Sequence, residues 1–471
     1  MDIMNEFGLS RNPYVEIFKQ IMPLLIAAVL LGLYYRKRIA AVDCVLYAFA
    51  TEAYTAITLG PTFTATLFIS VFFLLDELHQ LFTGHVYISK PYLLLLVIPA
   101  VSSLVVFCIV QLFKDPFYYP PGKQPDFYFR PAYFYIKTYL PWFAVGAKIV
   151  KDASTYSFEQ FGNTIRRITG FSFVIAMLQL FSQLVLKNVE LGELLGLQSR
   201  YLILMPEESF GMRIQALFSE PKTYAAFLAL AIPILLKKKD YWYVALAFIM
   251  GVLTVSQTFW INLLSAGLVF FVFPNILSVR LKVLSVLGMI VAIFISIAAT
   301  KQFFMEKYNA NKHNIVYQLV LKRSVYRYDK SVWQKDNEVL GIPLQRDLEL
   351  PVVEFLRDEP YLLLSGYGPG NSTFIPAHYF WGQASYKYRL AGVGANNLNM
   401  RWLFILAEFG LLSLICFFVV MTRTKQDISP FQRKYFAFVW VCFFFSQIDL
   451  FMIIISLLSV YETNEPATGQ L

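Results

Sequence analysis

The stretch ITGFSFVIAMLQLFSQLVLK, residues 168–187, decides how the chain folds. Its twenty residues carry no charged side chain before the terminal Lys187. A helix needs about 20 consecutive apolar residues to cross the hydrocarbon core of a bilayer. Because backbone groups in lipid must be paired within the segment, the stretch predicts a transmembrane helix.

Apolar runs of similar length recur along the chain and bring the total to about twelve. They lie near residues 17–35, 40–58, 61–81, 91–113, 131–150, 221–236, 241–259, 260–279, 281–300, 400–421 and 435–460. We therefore predict an all-α fold, a polytopic integral membrane bundle of about twelve transmembrane helices.

The composition supports a membrane protein over any soluble class. Hydrophobic residues make up 57% of the 471 residues and charged residues 15%, against roughly 25% charged residues in an ordinary soluble protein. Such a composition excludes a disordered chain, a collagen-like chain and a small disulfide-stapled domain. The four cysteines lie in apolar runs without a CxxC pair, which predicts buried thiols rather than a metal site.

The net charge of +9 fits a membrane protein whose lysines and arginines collect in the cytoplasmic loops. We therefore expect no nucleic-acid partner. Lysine and arginine in short loops mark the inside, which places Lys237–Lys239 there and, counting spans, Arg166 and Arg167 as well. Taking Arg36–Arg38 as a further inside loop would put Met1 outside. The number of spans near the N-terminus stays open at this point.

The same orientation leaves a segment of a hundred residues, 301–400, on the outer side, and a connection that long is usually functional or separately folded. We expect it to form an extracytoplasmic loop subdomain. The predicted division is 1–187 (N-terminal spans), 188–300 (central spans with the loop that carries Arg213), 301–400 (the large loop) and 401–471 (C-terminal spans and tail).

Arginines are unexpectedly frequent in the predicted outer loops. The arginine fork binds two phosphate oxygens at once, so a cluster above an apolar bundle suits a lipid with a phosphate or diphosphate headgroup. Pairing with carboxylates of the same loop is the alternative for each single arginine. The predicted substrate-binding arginines are Arg213, Arg323, Arg327, Arg389 and Arg401.

Three motifs follow one another along the second half of the chain. The first is GMR at 211–213, followed by FSEPK at 218–222. The second is LTVSQT at 253–258, which ends one span just before the next begins. The third is GYGPG at 366–370, followed at some distance by LFILAEFGL at 403–411.

In order and spacing these motifs resemble the O-antigen polymerase and ligase family, that is, Wzy-type polysaccharide polymerases and the related lipopolysaccharide O-antigen ligases. The resemblance covers roughly residues 200–421. It implies a bundle similar to C-type glycosyltransferases that works without metal or cofactor in the bacterial inner membrane, with its active face extracytoplasmic. The implied donor and acceptor are oligosaccharides linked to undecaprenyl diphosphate, and the implied partners are the bilayer and the flippase and chain-length regulator of the same pathway.

Two departures from the family pattern favour a polymerase over a ligase. The family usually has His-Asn before the AEFG helix, whereas this chain has Asn399 and Met400. Ligases often have an arginine after the serine of the second motif, whereas Ser256 is followed by Gln257. Asn399 stays among the predicted substrate-binding residues. A lipid or glycan flippase is the remaining alternative, although the internal repeat it would favour is absent.

The predicted general bases for the acceptor hydroxyl are Glu220 and His378. Glu220 lies at the mouth of a span, where it could instead favour the positive end of a helix dipole. His378 lies in the aromatic sequence PAHYF, where it could instead pack as an ordinary loop residue. Glu408 of the AEFG segment has an intramembrane carboxylate, for which packing, helix capping and catalysis are all open.

Overall fold

The computed structural model of the chain is helical in almost all of the residues that it describes. These are residues 13–57, 62–83, 124–136, 140–152, 156–186, 188–197, 213–254, 256–272, 349–380, 401–422 and 429–443, together with the short pieces 101, 104–105, 108, 303, 306–307, 309–311, 338–339 and 342–343.

The described helices are numbered in chain order. They are α1 (Pro13–Tyr35), α2 (Ala41–Phe49), α3 (Ala65–Phe82), α4 (Gln124–Phe134), α5 (Leu140–Asp152), α6 (Phe158–Phe181), α7 (Val189–Leu194), α8 (Pro221–Lys237), α9 (Tyr241–Leu253), α10 (Gln257–Gly267), α11 (Glu349–Asp358), α12 (Leu362–Ser365), α13 (Arg401–Thr422) and α14 (Pro430–Phe443). Single π-helical turns follow α6 (Ser182–Leu186) and α10 (Leu268–Val272), and 3₁₀ turns cover Asn371–Phe374 and Ala377–Phe380.

Extended structure in the described residues is limited to two antiparallel hairpins of two residues per strand. Strand β1 (Ala56–Ile57) pairs with β2 (Thr62–Phe63), and β3 (Glu338–Val339) pairs with β4 (Ile342–Pro343). The predicted all-α class is confirmed.

Two helices begin at the same kind of sequence signal. The Ser157 hydroxyl accepts from Gln160 N at 3.2 Å, while Ser157 N donates to the Gln160 side chain at 2.7 Å, which closes a capping box at the start of α6. Ser429 and Gln432 make the same reciprocal pair at the start of α14, at 3.1 and 3.2 Å.

The chain divides into two compact units. The first contains the described residues of Met1–Phe72 and Thr155–Trp260, and the second those of Phe73–Ser154, Ile261–Tyr317 and Leu321–Leu471. The four segments predicted from the sequence stay predictions.

Helix α8 forms the core of the first unit, because nearly all of its side chains are buried. Tyr224 donates its hydroxyl to Ser172 of α6 at 3.1 Å. The Phe218 ring, just before α8, stacks on Tyr224 at 5.0 Å between ring centroids and meets the Phe49 and Phe227 rings at 5.9 and 5.1 Å.

Helices α1 and α6, the latter with its π turn to Leu186, are long and apolar enough to cross a membrane. In α6 the polar side chains are buried and the large apolar ones are exposed, which is the reverse of the pattern in a helix of a soluble protein. Thr164, Thr169, Ser172 and Gln179 are buried, whereas the exposed residues are Phe171, Val174, Leu178 and Phe181. An apolar outer stripe and a polar inner face are what lipid around a helix requires. These two helices indicate membrane association.

The run at 40–58 does not form one long helix. Helix α2 ends at Phe49, after nine residues, and the chain beyond it is paired by tertiary contacts. Ala53 N donates to Leu217 O at 2.7 Å, and the Tyr54 hydroxyl donates to Leu194 O at 2.7 Å. The helix can end inside the unit because these contacts give hydrogen-bond partners to the polar groups of the chain that follows Phe49.

The count of about twelve spans stays a prediction. The runs near 91–113 and 281–300 and the C-terminal part of 435–460 lie outside the described residues or reach them only at single positions. The break between the predicted spans 241–259 and 260–279 is placed earlier by the structure, since α9 ends at Leu253 and α10 begins at Gln257.

We expect Gly251→Ala to destabilise the corner between α9 and α10, because the new methyl carbon would lie 2.1 Å from the Phe259 ring. Overpacking of this kind costs about 1–3 kcal/mol. The matched control is Gly32→Ala in α1, where nothing lies within 4 Å of the added carbon. Thermal unfolding of the purified variants in detergent should show a lower midpoint for Gly251→Ala only. An equal midpoint for both variants would contradict the packing.

Candidate functional site

Arg213 is buried, with 5% of its surface exposed, and brings the first two sequence motifs together. Its Nε donates to the carbonyl of Thr254 at 2.9 Å, and Ile214 N donates to Leu253 O at 3.5 Å. Thr254 is the C-cap of α9, so the cation lies at the negative end of that helix. This contact fixes the orientation of the guanidinium and also stabilises the helix end.

The loop that carries Arg213 is held by buried side-chain amides. Gln179 Nε2 donates to the carbonyls of Leu195 and Ala216 at 2.8 and 2.7 Å, and its oxygen accepts from Ala216 N at 3.0 Å. Gln215 Nε2 donates to Gly196 O at 2.7 Å and to Phe218 O at 3.1 Å. Ala216 adopts a positive φ of 48°, which these bonds hold in place.

Glu220 ends the same loop as the N-cap residue of α8, with Pro221 at the first helical position. Its carbonyl accepts from Tyr224 N at 3.1 Å, and its side chain is half-buried and makes no capping bond to the helix. The carboxylate therefore lies at the positive end of the helix dipole, as the alternative interpretation of the sequence proposed. Arg213 and Glu220 are the two predicted site residues that the structure places on one loop.

In the second unit, the GYGPG loop docks on the AEFG segment of α13. Glu408 is fully buried, and its two oxygens accept from Gly370 N at 2.8 Å and from the Ser372 hydroxyl at 2.5 Å. Tyr367 N donates to Ala407 O at 2.6 Å, and Gly368 N donates to Glu408 O at 3.0 Å. We call Gly366–Ser372 together with Ala407–Gly410 the glycine clasp.

The clasp requires glycine at two positions. Gly410 has φ 79° inside α13, and a methyl group there would lie 2.1 Å from Leu364 O. Gly366 has φ 73°, and its methyl group would lie 2.4 Å from the backbone of Glu408. The kink at Gly410 interrupts the helix, so the carbonyls of Ala407 and Glu408 are available to accept from the loop.

Arg130 of α4 supports the clasp from its other side. Its Nε donates to Gly370 O at 2.7 Å, and its guanidinium lies 5.0 Å from the centre of the Phe374 ring. Gly370 thus donates to a carboxylate and accepts from a guanidinium. Because both charged side chains bind backbone groups of the loop, this part of the site acts to fix the loop, which favours a packing role for Glu408.

His378 lies beside the clasp sequence in the 3₁₀ turn Ala377–Phe380 and is exposed. Its ring packs on the Tyr379 ring at 4.2 Å between centroids. The Tyr379 hydroxyl donates to Asp358 at 3.2 Å, and burial together with that carboxylate raises the pKa of Tyr379 to about 12. Tyr379 therefore keeps its proton at neutral pH and acts as a hydrogen-bond donor, while the His378 side chain faces solvent.

The remaining predicted site residues are only partly covered by the structure. Arg401 begins α13. Arg323, Arg327, Arg389 and Asn399 lie outside the described residues. Among the residues that the structure describes, no three His, Cys, Asp or Glu side chains are grouped so that they could hold a metal ion.

The residues that fix both loops are not among those predicted from the sequence. Gln179 lies in an apolar run, where an amide side chain signals an internal hydrogen-bond partner. Arg130 was overlooked at the edge of a Pro- and Tyr-rich segment. Ser372 and Gln215 carry no sequence signal of their own, since their importance arises only from the contacts they make.

No family model, curated protein or solved structure matches the chain. The resemblance to the O-antigen polymerase and ligase family stays a prediction that rests on the three motifs.

We expect Glu408→Gln to destabilise the protein by about 1–3 kcal/mol, because an NH₂ group would then face one of the two donors of the clasp. Adding Ser372→Ala to that variant should cost less than Ser372→Ala alone, since the two side chains share one contact. The control is Ser413→Ala, a buried serine of α13 that donates to Phe409 O of its own helix. Equilibrium unfolding measures the four variants, and strictly additive effects would contradict the clasp.

Proposed function

We propose that the chain is a multi-pass glycosyltransferase of the bacterial inner membrane that polymerises oligosaccharide repeat units linked to undecaprenyl diphosphate. The product is a surface polysaccharide, which is an O-antigen, a capsule or an exopolysaccharide. The active face is extracytoplasmic. Flippase and chain-length regulator of the same pathway are its expected partners.

The observation that carries the proposal is the buried, oriented guanidinium of Arg213 in a polar loop between apolar helices. A cation in such a place suits an anion that arrives at the end of a lipid. Two further features support the proposal. Arg213 contacts the LTVSQT segment, and the GYGPG loop contacts the AEFG segment, so that motifs quoted for the family lie together in each unit.

The reaction is a transfer of the glycosyl group between two oxygens. The hydroxyl oxygen of the acceptor sugar forms a bond to the anomeric carbon of the donor, and the bond from that carbon to the diphosphate oxygen breaks. The electron pair leaves with the diphosphate, where Arg213 stabilises the negative charge. The hydroxyl proton passes to a base, for which Glu220 and His378 remain the candidates.

Deleting the gene in the host and separating the extracted surface polysaccharide by size tests the proposed activity. We expect the ladder of chain lengths to collapse to single repeat units on the surface acceptor. Loss of all attached glycan, with long chains left on the carrier lipid, would instead indicate a ligase. An unchanged ladder would contradict both enzymes and favour transport.

The Arg213→Lys variant, expressed in the deletion strain and purified, tests whether Arg213 binds the diphosphate of the donor. Lysine keeps a positive charge that can reach Thr254 O, so the helix end stays stabilised, but it lacks the planar fork. We expect polymerisation by the purified enzyme to fall by about a hundredfold. The control is Lys307→Ala, an exposed cation of the predicted outer loop, which should keep wild-type activity. Equal activity of Arg213→Lys and wild type, at equal amounts of folded protein, would contradict this binding.

A further inference from the structure

The first unit gathers basic side chains from three separate chain segments at one end. They are Arg36, Lys37, Arg38, Arg166, Arg167, Lys237, Lys238 and Lys239, and we call them the basic end. The first three follow α1, the next two lie in the first half of α6, and the last three close α8.

Polar contacts around the start of α6 show that these segments are neighbours. Asp43, in the first turn of α2, accepts from the hydroxyls of Tyr156 and Thr164 at 2.5 and 2.6 Å. Because α2 starts just after Arg38, the end of α1 is brought to the start of α6. Lys238 donates to Asn163 at 2.6 Å, which brings the end of α8 to the same place.

The basic end is exposed and keeps a strong positive charge. Eight basic side chains face three described carboxylates, those of Asp43, Glu159 and Asp240. Asp43 is engaged by hydroxyls, and Asp240 lies 3.8 Å from Arg166. The Arg166 guanidinium also lies over the Tyr243 ring at 4.8 Å, and Lys237 over the Phe158 ring at 5.1 Å. These ring contacts hold the cations at the rim of the helices.

Two lysines of the basic end occupy backbone positions that favour glycine. Helix α1 closes in a Schellman motif, in which Arg38 N donates to Leu33 O at 2.9 Å and Lys37, with φ 56°, is the left-handed residue. Helix α8 closes in the same motif, in which Asp240 N donates to Leu235 O at 3.0 Å and Lys239 has φ 61°. Glycine adopts this conformation without strain, whereas lysine does not. Because the fold does not require lysine at these two positions, we infer that both lysines serve binding rather than stability.

The location of the basic end indicates which anion it binds. Of the two helices long enough to cross a membrane, α1 ends and α6 begins at this end. A cluster of lysine and arginine directly at the end of membrane spans lies in the headgroup layer, where it attracts anionic lipids. We propose that the basic end binds the phosphate headgroups of anionic phospholipids in the cytoplasmic leaflet, with Lys37 and Lys239 as direct contacts.

The test uses the purified full chain in detergent micelles, mixed with phosphatidylglycerol or phosphatidylcholine, with retained lipid measured by native mass spectrometry. Wild type should retain phosphatidylglycerol in preference, and added salt should weaken that preference. In Lys37→Gly/Lys239→Gly we expect binding to weaken by about fivefold for each lysine, so by about 25-fold in all. Its thermal midpoint without added lipid should stay equal or rise, because glycine relieves the left-handed strain.

Two matched variants make the outcome decisive. Lys37→Arg/Lys239→Arg keeps both charges and should keep the binding. Lys307→Gln/Arg357→Gln removes two exposed charges of the predicted outer loop and should leave phosphatidylglycerol retention unchanged. Unaltered retention in the glycine variant, or an equal loss in the outer-loop variant, would overturn the proposal. The readout is lipid retention rather than polymer length, so it does not depend on the proposed transferase activity.

Discussion

A polar group buried between apolar helices must find its partner within the protein, because lipid offers none. In the first unit this constraint applies to the loop that carries Arg213, because the backbone of that loop is not helical. Gln179 meets it from within α6 by binding the carbonyls of Leu195 and Ala216, and by accepting from the Ala216 N–H. The position of the arginine therefore depends on Gln179 of α6 together with Gln215 of the loop itself.

The second unit meets the same constraint with a carboxylate and with glycine. The kink at Gly410 leaves the carbonyls of Ala407 and Glu408 without helical partners, and the N–H groups of Tyr367 and Gly368 take their place. The loop can approach this closely only because no side chain stands at Gly366 or Gly410. In both units, an irregular segment is tolerated because its backbone groups are satisfied by buried polar side chains and by backbone groups of a neighbouring helix.

The sequence predicts the helices well but predicts the contacts between distant residues poorly, for a physical reason. Hydropathy reports what faces lipid, so the C-terminal ends of α1 and of α6 with its π turn were predicted within one residue from the apolar runs, whereas α1 begins four residues and α6 ten residues before those runs. The end of α2 was predicted wrongly, because it depends on Leu217 and Leu194, which lie far away in the chain. The GYGPG and AEFG motifs were recognised, but the partnership of Glu408 with Ser372 could not be, since many serines in the chain look alike. Arg213 was found through its charge in an unusual place, whereas Gln179 was not found because it is uncharged and the run around it stays apolar on average.

The basic end also bears on the question that hydropathy left open, the path of the N-terminal part. Arg36–Arg38 precede α2, whose Asp43 accepts from Tyr156 and Thr164 at the start of α6, so Arg38 and Phe158 lie at the same end of the first unit. The spans predicted from the sequence between them, near 40–58, 61–81, 91–113 and 131–150, are four, an even number that agrees with both ends lying on one side of the membrane. With the basic end at the cytoplasmic leaflet, as we propose, α1 runs inward from an extracytoplasmic N-terminus. The loop of Arg213, which follows the opposite end of α6, then lies on the extracytoplasmic side, where we propose that the lipid-linked donor binds.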